Sequence, residues 1–102
     1  MRIVSYQVKP VRISPTEAEL RIDVTLDEVT TPDIRGRLHG PRCEGVQTIE
    51  IDYPIRAGRV WIAEPLFWTS ERPYRYVGTL EVWHDGAMQD QVPIVLELRQ
   101  KI

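Results

Sequence analysis

The chain has 102 residues, 42% of them hydrophobic and 27% charged, with a formal net charge of -2. That length holds one domain around one core, and the apolar share is too high for a disordered chain. Acids and bases are mixed throughout, so there is no one-sided positive field for a phosphate backbone, and no apolar run approaches the roughly 20 residues that span a bilayer, which argues against nucleic acid and membrane as partners.

At the N-terminus, Met1-Arg2-Ile3-Val4 lacks the apolar core of a signal peptide, and the chain reads as soluble. Ile3 to Ile13 is β-branched and carries Pro10, which cannot donate to a ladder and marks an edge strand or one that switches sheets. Ser14-Pro15-Thr16 makes the next turn. From Glu17 to Leu26, Ala18, Leu20, Ile22, Val24 and Leu26 alternate with polar residues, the period of a strand with one wet face. After Thr31-Pro32 a short strand is expected over Ile34 to His39, ended by a turn at Gly40-Pro41. Gln47 to Ile55 alternates again, with Ile49, Ile51, Tyr53 and Ile55 on one face. Ala57-Gly58 resets direction into a strand over Arg59 to Ala63. The last two strands, about Tyr74 to His84 and Gln89 to Arg99, flank Asp85-Gly86, a pair that accepts positive φ and predicts an antiparallel hairpin. No segment carries helical periodicity. The expected fold is therefore all-β: a single immunoglobulin-like antiparallel β-sandwich of about seven strands with Greek-key connections, spanning residues 1–102.

One stretch carries a family resemblance. Glu64-Pro65-Leu66-Phe67-Trp68-Thr69-Ser70-Glu71-Arg72-Pro73-Tyr74-Arg75-Tyr76, followed by a strand, Asp85-Gly86 and a strand ending at Arg99, resembles the immunoglobulin-like sandwich domain of glycoside hydrolase family 2, the family of β-galactosidases, β-glucuronidases and β-mannosidases. Arg75 stands where that family usually has leucine, and Glu97-Leu98-Arg99 stands in place of its closing Gly-Phe-Arg. The resemblance implies a non-catalytic domain that leads into a separate catalytic barrel, on which the paired glutamates of that chemistry reside. This chain contains no asparagine, so the asparagine-glutamate pair of that barrel has no counterpart in it.

The residues themselves give the Trp68-to-Tyr76 stretch structural work. Trp68 is expected to plug an open end of the sandwich, Pro73 to fix φ before Tyr74, and the Tyr76 phenol to hydrogen-bond back to the preceding corner. The resemblance, not the residues alone, gives Arg99 its place as the retained arginine of the closing segment. If Val60 and Ile62 face the core, Trp61 faces out, and Leu80 and Val82 place Trp83 outward beside Glu81. With Tyr53 and Tyr74, these are the candidate contacts for a sugar or an interface. His39, Cys43 and His84 are the soft metal ligands, and their spacing suggests no zinc site. Ser70, His84 and Asp85 lack the elbow that would arm a nucleophile. The lone Cys43 leaves the compartment open. Lys9 and Lys101 are the only lysines, and the abundant arginine reads as composition.

The expected function is a non-catalytic accessory or spacer domain, needing no cofactor, that positions neighbouring domains or presents a contact surface. Two other functions fit the same residues: a small carbohydrate-binding module using exposed aromatics, and a free-standing adhesion or oligomerisation domain that pairs β-edges.

Overall fold

A computed structural model describes residues 1–99 of the chain. Seven strands, and no helix among the described residues, follow one another as β1 (Ile3–Ile13), β2 (Glu17–Leu26), β3 (Asp33–Arg42), β4 (Ile51–Ile55), β5 (Arg59–Ala63), β6 (Arg75–His84) and β7 (Ala87–Leu96). They form two antiparallel sheets, ordered β1-β2-β5 and β4-β3-β6-β7. The chain crosses between sheets after β2, after β4 and after β5, which is the Greek-key route of an immunoglobulin-like sandwich.

Period-two alternation builds the core. From the three-stranded sheet, Ala18, Leu20 and Ile22 of β2 and Val60 and Ile62 of β5 point inward. They meet Leu38, Ile55, Tyr76, Leu80, Ile94 and Leu96 of the other sheet. Each large aliphatic side chain so buried contributes about 1.5–3 kcal/mol relative to exposure. The intervening residues of β2, Glu17 to Thr25 at odd positions, stay on the outer face.

Pro10 sits where its missing N–H costs nothing. Ile22 donates its N–H toward β5, to Gly58 O at 2.7 Å. Its β1 partner Val8 therefore turns its backbone groups to the free edge, and so does Pro10, opposite Leu20. A bulge between Pro10 and Arg12 follows.

Two expectations are corrected in the middle of the chain. Gly40-Pro41 is not a turn: β3 continues through it to Arg42, with a bulge on the β6 side. The glycine is there for a close approach, since a Cβ would lie 2.7 Å from Tyr76 Cδ1 and 3.0 Å from Arg75 O. The reversal comes later, where the Val46 N–H reaches Cys43 O at 3.1 Å. Consequently β4 loses its partner early. Its pairing with β3 stops at Gly40 opposite Ile51, so residues 47–50 are outside the strand and Ile49 is 86% exposed. Period two is present in that segment, but no neighbouring strand reads it.

The Ala57-Gly58 turn ties the two sheets together. Arg56 and Arg59 exchange backbone hydrogen bonds at 2.9 Å across it, while Gly58 donates to Ile34 O on β3 and accepts from Ile22 on β2. Asp85 and Gly86 take φ of 51° and 76°, as the hairpin between β6 and β7 requires. β7 ends at Leu96, earlier than the sequence suggests. Tyr76–Leu96 is its last pair with β6, and the Leu98 carbonyl accepts instead from Trp68 N–H at 2.6 Å.

Candidate contact surface

The Trp68-to-Tyr76 stretch forms a corner around one buried phenol. Tyr76 is 1% exposed, and its hydroxyl accepts the Leu66 N–H at 3.0 Å, ten residues upstream. Burial pushes this phenol above its ordinary pKa of 10.0; the Leu66 hydrogen bond opposes the shift and nearby Tyr53 adds to it. The bond pins Leu66 at the surface, and the extended chain then alternates, with Pro65 buried, Leu66 exposed and Phe67 against the core. Phe67 thus takes the place foreseen for Trp68. The Trp68 ring lies half-buried beneath the Arg99 guanidinium, whose carbon is 3.8 Å from the ring centroid. Pro73 and Tyr74 are half-buried just before β6, where Tyr74 N–H donates to Arg72 O at 2.8 Å.

Tyr53, at an inward position of β4, meets Tyr76 edge to face with centroids 5.9 Å apart. Partial burial pushes its phenol upward too. Its ring belongs to the margin of the core.

Trp61 and Trp83 both point out of the sandwich, as alternation with Val60, Ile62, Leu80 and Val82 requires, but from different sheets. They occupy opposite outer faces, so no single platform can contain both. Trp61 is 51% exposed and lies across from Glu19, whose carboxylate pairs with Arg59 at 3.1 Å. Trp83 is more ordered by its surroundings. Its Nε1–H donates to Glu81 at 2.8 Å, and the Arg35 guanidinium carbon stands 4.6 Å from its ring centroid. Arg35 is in turn held by Asp33 at 2.7 Å.

Beside this cluster the outer face of β4, β3 and β6 is hollowed into a groove of about 740 Å³. The small side chains of Pro54, Ala57 and Thr79 leave its floor low, while Arg35, Arg37, Arg56 and Trp83 line it as longer side chains. Arg37 faces out opposite Pro54, and Arg56, just beyond the end of β4, lines the same groove. Composition alone accounts for arginine in the linear chain. Folding gathers three of them here, and the readable signal was the spacing of Arg35 and Arg37, which one strand must place on one face.

The remaining polar candidates are dispersed. His39 pairs with Asp52 across β3 and β4, His84 with its neighbour Asp85, and Cys43 sits in the bridge to Val46. Ser70 is exposed in the loop before β6. No family model matches the chain, and no curated protein matches it significantly.

Proposed function

We propose that this immunoglobulin-like sandwich is a non-catalytic spacer that holds two neighbours on its two sides, in the manner of the accessory sandwich of family 2 glycoside hydrolases. The observation that carries it is the pair of outward tryptophans, Trp61 on one sheet and Trp83 on the other. Tryptophan and arginine are the side chains that most often dominate protein contacts, and both outer faces present them. Opposite placement suits a module wedged between two bodies.

Photocrosslinking in the producing cell tests this reading. A benzophenone amino acid at position 61 or 83 should give a discrete adduct whose partner peptide mass spectrometry identifies. The same probe at Thr25 or Gln91, exposed on the same two faces, should stay silent. Silence at both tryptophan positions, or turnover of aryl glycosides by the purified chain, overturns it.

A further inference from the structure

Three guanidinium groups on the outer side of the four-stranded sheet, those of Arg37, Arg56 and Arg75, form no ion pair among the described residues, and the first two line one groove. Among the described residues Arg35 pairs with Asp33, Arg42 with Glu50 and Arg59 with Glu19, whereas Arg37 and Arg56 form no ion pair. Arg37 stands opposite Pro54, and Arg56 follows the end of β4 two residues later, so two cations line one outer face, an arrangement that an anion between them would relieve. Both line the groove whose floor is Pro54, Ala57 and Thr79.

We propose that Arg37 and Arg56 receive the side-chain carboxylate of an aspartate or glutamate from a neighbouring protein, with Trp83 forming the flat wall against which that segment lies. The guanidinium fork matches a carboxylate with two parallel hydrogen bonds, and two such forks can grip one carboxylate from both sides. Charge selects the ligand. The charged lining is three arginines, Arg35, Arg37 and Arg56, and two carboxylates, Asp33 and Glu81, with His39 at the margin engaged by Asp52, leaving one net positive charge. One monoanionic carboxylate neutralises it. A phosphate dianion would overshoot and face Asp33 and Glu81 across the same groove. The Trp83 indole is already fixed by Glu81 and Arg35, so its ring is ordered before any ligand arrives.

This inference rests on the contact-surface reading and names the chemistry of one of its two faces. It is tested on the whole chain by following the arginine Nε–Hε resonances during titration with acetyl-Gly-Glu-Gly-Glu-Gly-amide. Its glutamine counterpart, inorganic phosphate and glucuronate serve as separate arms. Saturable shifts confined to Arg37 and Arg56, with a Kd on the order of a few millimolar, are expected for the glutamate peptide. R37Q and R56Q should each weaken it about tenfold, the loss of one charge-assisted pair. Both side chains are exposed, and an unchanged circular dichroism spectrum separates lost binding from lost folding. Equal shifts at Arg21, no saturation, or tighter binding of phosphate or glucuronate would overturn the assignment. A crosslinked partner at position 83 together with a silent titration would sink this inference while leaving the contact reading intact. Carboxylate binding with no crosslink at 61 or 83 would do the reverse.

Discussion

At the scale of single residues, Tyr76 does more than fill volume. Its ring is core and its hydroxyl holds the Leu66 amide, so Tyr76→Phe keeps the packing and strands a part-buried donor. Urea unfolding should show a loss of about 1–2 kcal/mol. The pH dependence has a definite sign. Burial raises the folded-state phenol pKa of Tyr76 and of Tyr53 above 10.0. The native state therefore keeps protons that the unfolded chain releases, and this contribution, complete below pH 10, is lost as pH rises through the folded-state values. Tyr76→Phe should make the alkaline decline shallower, and an unchanged slope would contradict the assignment. Gly78 is as constrained as Gly40. A Cβ there would lie 1.7 Å from Arg37 O, so Gly78→Ala must push β3 and β6 apart. A loss of about 3 kcal/mol is expected from the same unfolding measurement. The tyrosine corner was legible in the sequence because it is local in the chain. The exchange of Trp68 for Phe67 at the core was not, because which of two adjacent aromatics turns inward depends on where Tyr76 pins Leu66.

The strands show how a sandwich keeps its edges from pairing. On the free side of β7, Pro93 has no N–H, Gln91 N–H is taken by the Asp90 carboxylate at 2.9 Å, and Val95 N–H points to the Tyr6 hydroxyl at 3.4 Å. Asp90 also accepts the Ile3 N–H at 2.8 Å, which clips the start of β1 to β7. These capped donors leave little for a second chain to pair with. Sedimentation should find Pro93→Val, which restores an edge donor, more prone to self-association than the parent chain. Equal behaviour of the two would mean that the edge is guarded by something else. The Ile3 hydrogen bond is also the main cause that holds the Asp90 carboxyl below its ordinary 3.8, with Gln91 N–H adding and desolvation opposing. A depressed carboxyl contributes stability above its unfolded pKa and loses it as pH falls through the folded value. The Ile3 amide resonance should accordingly move with a midpoint below 3.8, and a midpoint at or above that value would show the clip is not formed in solution.

For the whole molecule, the two sheets depend on one shared interior. Leu80, fully buried on β6, belongs to the cluster that joins both sheets, and Leu80→Ala should cost about 2–5 kcal/mol by unfolding, with a smaller loss indicating that the sheets collapse to close the cavity. Fold class, the number of strands, the β6–β7 hairpin and the inward faces of β2 and β5 could be read from the chain, because alternation and turn chemistry act between residues adjacent in sequence. The true end of β3, the shortness of β4 and the separation of Trp61 from Trp83 could not. Each depends on which strand lies alongside, and sheet partners are fixed by the burial of the whole core. The same holds for the groove: spacing placed Arg35 and Arg37 on one face, but only the pairing of β3 with β4 brought Arg56 beside them.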